Sequence, residues 1–129
     1  MNVSESLKRG GRPELLIVTN NPRTAEKFPD SLFVEGSPPD VISRAGELLS
    51  GGFVLLSSPL PPNGRLMKNP YRSVALAESK ELLCGGRDFI LVSDAVERFS
   101  RLVFLPKEGK RGEDLAFMDL HLLEVAIRE

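Results

Sequence analysis

The sequence contains no tryptophan, one tyrosine, one cysteine and one histidine in 129 residues. A single cysteine, Cys84, excludes an internal disulfide, and with His121 as the one histidine no His/Cys cluster has zinc or iron ligand spacing. The reading is therefore no metal and no cofactor. No apolar run approaches the roughly 20 residues that span a bilayer. The basic start, Lys8, Arg9 and Arg12, is not followed by the apolar stretch of a secretory signal. A cytoplasmic protein without a membrane contact is expected. The formal net charge of -1 gives no overall field for nucleic acid, so any anion binding must be local.

What is present is an ordinary globular composition, 41% hydrophobic and 27% charged, in a length suited to one core. Residues 1–13 are polar, contain Gly10 and Gly11 and show no periodicity, which predicts a flexible N-terminal arm. Residues 14–129 then form a single α/β domain.

Glu14 to Thr19 is a short continuous apolar run, as in a strand covered on both faces. Asn20 and Asn21 precede Pro22, a cap followed by proline at the first helical position, which predicts a short helix from Pro22 to about Phe28. Leu32 to Glu35 reads as a second strand. Ser37 stands three residues before Asp40, with Pro38 between them, and Val41, Ile42, Ala45, Leu48 and Leu49 then recur at helical spacing. Gly51 is expected to close that helix in the left-handed conformation. Phe53 to Leu56 follows as another doubly buried strand. Alternating strands and helices predict a three-layer α/β sandwich with a mainly parallel, Rossmann-like sheet. Ligands in such sheets bind beyond the carboxyl ends of the strands, which puts Thr19, Asn20 and Asn21 on one edge with Ser57, Ser58 and Pro59. At these positions Asn and Ser commonly just cap helices and turns.

From Ser57 to Ser73 regular structure is broken by Pro59, Pro61, Pro62, Asn63-Gly64 and Asn69-Pro70. Ordered connections of this length are uncommon and often functional. Arg65, Lys68 and Arg72 lie in a window without Asp or Glu between Glu47 and Glu78. This is either a solvated basic loop or an anion site. Arg72 is the residue best suited to grip a carboxylate or phosphate, through its planar fork; replacing it would then spare stability. The competing reading pairs Arg72 internally with Glu35 or Glu78.

Ser73 to Ala77 should re-enter the sheet, and Glu78 to Cys84 forms a turn or two of helix. Cys84, beside Leu82 and Leu83, reads as a buried hydrophobe that reacts slowly, because no activating charge adjoins it. Residues 88–102 fit either a buried strand at FILV or a helix with Phe89, Val92, Val96, Phe99 and Val103 on one face; the helix is favoured. Val103 to Leu105 is then a short strand, and Lys107 to Asp114 a charged loop. Leu115, Met118, Leu122 and Val125 carry the final helix, with its Met and Phe residues as core. His121, alone on that helix, reads as a packing or surface residue.

Three stretches, LLIVTNNPRTAEKF, GGFVLLSSPLPPNGRLMKNPYRSVAL and EDLAFMDLHLLEVAI, resemble the GrdX family, small proteins encoded alongside glycine, sarcosine and betaine reductases in amino-acid-fermenting anaerobes. The middle stretch is the most specific, with Pro59, Leu60, Lys68, Asn69, Pro70, Tyr71, Arg72 and Ser73 at the matching positions; Thr19, Asn20, Asn21 and Pro22 match as well. Pro61-Pro62 and the N-terminal arm depart from the family pattern. The resemblance implies an accessory role beside the reductase components, and no mechanism.

Two functions follow. In the first, Thr19, Asn20, Asn21, Ser57, Lys68, Asn69, Tyr71, Arg72 and Ser73 form a shallow site for a small anionic ligand or a partner protein. In the second, the chain is an enzyme acting on a small carboxylate or phosphate metabolite, with Lys68 and Arg72 as clamps and Tyr71 or Ser73 as the reacting hydroxyl. Neither loop motif contains an Asp, Glu or His to act as a general base, which ranks binding ahead of catalysis.

Overall fold

The computed structural model describes residues 15–78 and 86–128. The expected N-terminal arm, residues 79–84 of the helix expected over Glu78 to Cys84 and the environment of Cys84 lie outside the described residues, while Glu78 itself belongs to a strand.

The chain runs β1 (Leu15–Thr19), α1 (Pro22–Lys27), β2 (Leu32–Phe33), α2 (Pro38–Leu49), β3 (Phe53–Leu55), a 3-10 turn (Gly64–Leu66), β4 (Ser73–Glu78), α3 (Gly86–Ser100) and α4 (Gly109–Ile127). The local signals act as their chemistry dictates. Asn21 caps α1 by accepting from Arg23 N at 3.0 Å, with Pro22 at the first helical position. Ser37 and Asp40 form a reciprocal capping box on α2. The left-handed residue after α2 is Gly52, at φ 96°, one position beyond the expected Gly51.

The sheet order is β2-β1-β4-β3, with β1 parallel to β2 and β4 antiparallel to both β1 and β3. This corrects the expectation of a mainly parallel, Rossmann-like sheet: the domain is α/β, and its sheet is mixed. The reason lies in the connection. A parallel pair needs a crossover that carries the chain back to its starting edge, and the proline-broken segment 56–72 contains no element long enough to do so. It turns at the carboxyl edge of β3 and sends β4 back between β1 and β3. β3 is thus an edge strand, half-buried along its length, and Leu56 is 48% exposed, not the doubly buried strand expected.

Alternation in β1 and β4 divides the core. Val18, Val74 and Leu76 pack with Val41, Ile42, Ala45 and Leu49 of α2 and Val92, Ala95 and Phe99 of α3. On the opposite face Ile17 and Ala75 meet Leu123 of α4. The small side chains of Ser73, Ala75 and Ala77 on that face let α4 approach closely.

Four further expectations are corrected. Val103 to Leu105 forms no strand; its tie to the loop is Leu105 N donating to Lys68 O at 2.9 Å. α4 begins at Gly109 and absorbs most of the predicted charged loop. Its buried face is Gly112, Ala116, Asp119, Leu120 and Leu123, whereas Met118 and Val125 are 40% and 42% exposed. The sheet-facing stripe is therefore displaced by about one residue from the expected one, and the small residues on β4 leave room beneath it for Leu123 as well as for Gly112 and Ala116. Phe89 and Val103 likewise lie outside the core, leaving Val92, Ala95 and Phe99 as the buried face of α3.

Candidate functional site

The carboxyl ends of β1, β2 and β3 and the amino end of β4 share one edge, and the Ser57 to Arg72 segment folds over it. Asn20 clamps that segment down. Its Nδ2 donates to Pro70 O and to Gly36 O, each at 2.8 Å, and its Oδ1 accepts from Arg72 N at 2.8 Å. Asn69 Oδ1 accepts from Tyr71 N at 2.9 Å while its Nδ2 donates to Leu115 O of α4 at 3.0 Å. Ser57 Oγ accepts from Ala75 N at 2.9 Å. Every amide group of these two asparagines is engaged with backbone, so they hold the loop in place.

Beneath the loop is a buried polar cluster. Thr19 Oγ1 lies 2.7 Å from Ser73 Oγ, and Ser73 Oγ lies 3.1 Å from Thr24 Oγ1 and donates to Asp119 Oδ2 at 2.6 Å. Asn21 Nδ2 donates to the same carboxylate oxygen at 3.0 Å and to Ala116 O at 2.8 Å. Asp119 reaches this cluster from α4, where it occupies the sheet-facing stripe between Ala116 and Leu123. The acid-free window of the loop is thus completed by a carboxylate from 46 residues downstream.

Arg72 is 8% exposed. Its Nη2 donates to Ser58 O at 3.0 Å, and Asp119 is the acid that acts on its charge. Neither Glu35 nor Glu78 takes that role. Arg72 Nε and Asp119 Oδ1 have no hydrogen-bond partner among the described residues. Burial pushes the Asp119 carboxyl above the usual aspartate range, against the lowering effects of Arg72 and of the bonds from Ser73 and Asn21. Burial likewise lowers Arg72, and the nearby Asp119 charge opposes that shift.

The remaining candidates sit on the rim. Tyr71 is half-buried, with Lys107 Nζ 5.4 Å from its ring centroid, and its phenol is raised by burial and then by Glu108. Lys68 is exposed, and its backbone carbonyl accepts from Leu105 N, outside the cluster. The structure thus gathers Thr19, Asn20, Asn21, Ser57, Asn69, Arg72 and Ser73 into one interlocked edge and leaves Lys68 and Tyr71 facing outward. Asp119 and Lys107 are the residues that the sequence did not single out. Asp119 had a signal, an acid at core spacing within an apolar stripe; Lys107 had none.

A family model described as GrdX-like protein matches residues 16–128. The chain belongs to the GrdX-like protein family. All nine candidate residues, together with Asp119 and Lys107, fall within the matched span of this GrdX-like chain. Searches of curated proteins and of solved structures returned no match. Among the described residues, no three His, Cys, Asp or Glu side chains are grouped to hold a metal ion, and no helix is long and apolar enough to cross a membrane.

Proposed function

We propose that this GrdX-like chain is an accessory binding protein of the glycine, sarcosine and betaine reductase system, and that the carboxyl edge of its sheet receives an anionic group carried by a small ligand or a partner protein. The observation that carries the reading is the layering of charge at this edge. Arg72 and Asp119 are both buried, with the Asp119 charge acting on Arg72, whereas Lys68 and Lys107 are exposed, with Lys107 over Tyr71. In this reading Lys68, Tyr71 and Lys107 meet the anion. Thr19, Asn20, Asn21, Ser57, Asn69, Arg72 and Ser73 fix the position of that rim.

The test is titration of the full chain with purified reductase components at low and high salt. The Lys68→Ala/Lys107→Ala variant should bind roughly tenfold more weakly, about 1.4 kcal/mol, with its thermal midpoint unchanged. Absence of binding by the unaltered chain would sink the reading.

One contact favours the alternative of an enzyme acting on a small carboxylate or phosphate metabolite. Ser73 and Asp119 form a hydroxyl–carboxylate pair, the arrangement in which a base activates a nucleophile. Both are closed to solvent, at 2% and 1% exposure, so catalysis would require α4 to lift from the sheet. Turnover abolished by Ser73→Ala in a variant of intact fold would favour this second reading.

A further inference from the structure

The outward face of α4 carries Phe117 at 57% exposure beside the exposed Met118 and Val125. Asp114, Met118, His121, Val125 and Arg128 recur there at alternating four- and three-residue intervals, the spacing of the seam between paired helices. All five are exposed, and Phe117 flanks them.

This face is ordered in advance of any partner. Arg23 of α1 lies 5.5 Å from the Phe117 ring centroid, and His121 stacks on the same ring at 6.4 Å with 8° between the planes. Lys27 draws Glu124 aside in an ion pair of 2.6 Å. Side chains already held in place lose less freedom on association.

The seam is also self-complementary. An acid, Asp114, stands at one end, a base, Arg128, at the other, and His121 at the midpoint. When two such helices cross antiparallel about a two-fold axis at His121, Asp114 falls opposite Arg128 of the second copy, Phe117 opposite Val125, and His121 opposite its own counterpart. Each contact away from the axis is made twice, as a two-fold interface requires. A parallel pairing would instead set like charges together at both ends.

We propose that α4 is the contact face of a homodimer in which it packs antiparallel against α4 of a second copy, centred on His121. A single helix pair lies at the small end of specific interfaces, so the dimer dissociates measurably on dilution.

Sedimentation equilibrium of the full chain over a wide concentration range tests this. The unaltered chain should show a concentration-dependent dimer, and Phe117→Glu should leave a monomer with an unchanged thermal midpoint. Asp114→Arg and Arg128→Glu should each weaken dimerisation by about tenfold or more. Combining them restores the opposed charges and should recover most of the loss. A monomer at every concentration, a dimer indifferent to these changes, or a combined variant as weak as its parents would overturn the proposal. So would a monomer held by anionic lipid vesicles through Phe117, which would assign the face to a membrane surface. Lys68 and Lys107 lie outside this seam, so reductase binding and dimerisation stand or fall separately.

Discussion

Ser73 donates a 2.6 Å hydrogen bond to the buried carboxylate of Asp119, and this contact fixes α4 to the amino end of the central strand β4. A hydroxyl has one hydrogen. With Ser73's directed at the carboxyl, the Thr19 hydroxyl, whose contact with Ser73 can run either way, must be the donor, so the Thr19–Ser73–Asp119 chain is polarised towards Asp119. Asn21 adds a second donor to the same oxygen while capping α1 through its own Oδ1. One carboxylate thereby ties together β1, β4, α1 and α4.

Removing that carboxylate should be severe. Asp119→Ala leaves the Arg72 charge buried without its counter-charge and strands the Asn21 and Ser73 donors, so a loss of roughly 3–5 kcal/mol is expected. Urea denaturation of the variant checks this; a loss below about 1 kcal/mol would show that the cluster re-satisfies itself, for example with water.

The pH dependence follows from the upward shift of Asp119. Between the ordinary aspartate value near 3.9 and the higher value in the fold, the native state keeps a proton that the unfolded chain has released. Stability from this group is therefore full below the ordinary value and declines as pH rises through the native one. Asp119→Asn removes the titration. The stability of the unaltered chain minus that of Asp119→Asn, measured from about pH 4 to about pH 8, should fall with rising pH; an increase would contradict the assignment.

Arg72→Ala is expected to lower stability by roughly 2–4 kcal/mol, since it removes the bond to Ser58 O and the counter-charge of Asp119. The sequence alone favoured a ligand grip whose loss spares stability. A double-mutant cycle with Asp119→Asn separates the two views: coupling well above about 0.5 kcal/mol marks an internal pair. Coupling near zero with intact stability would return Arg72 to ligand binding.

The legible parts of this chain were those governed by neighbouring residues. Asn21-Pro22 and Ser37-Pro38 with Asp40 specify helix starts through groups a few positions apart, and both starts occur where expected. The common edge of Asn20 and Arg72 was also legible, because a strand end and a long loop must meet there. The direction of β4 was not legible from local signals, since it depends on what the 56–72 connection lacks. The buried face of α4 was misread for a related reason. Apolar residues at 115, 118, 122 and 125 outweigh Gly112, Ala116 and Asp119 in a hydrophobicity reading, yet the stripe that meets β4 runs through 112, 116, 119, 120 and 123. Asp119 joins the site only after that choice is made.

The approach of α4 to its own entry segment gives the last prediction. Gly112 is buried in the first turns of α4, and a Cβ built there would fall inside the van der Waals shell of the Lys107 carbonyl oxygen and carbon. The obstacle is backbone, which cannot rotate aside as a long side chain would. Gly112→Ala must therefore displace residues 107–108 or lift the helix, and overpacking of this kind costs typically 1–3 kcal/mol despite alanine's better helix propensity. Because Lys107 covers the Tyr71 ring, the displacement should also alter the Tyr71 fluorescence spectrum and its quenching by iodide. Ala116→Gly provides the contrast: it creates no clash, so it should destabilise through helix propensity and lost packing while leaving the Tyr71 signal unchanged. A Gly112→Ala variant as stable as the parent, with the same Tyr71 spectrum, would mean that the 107–112 turn has room to relax.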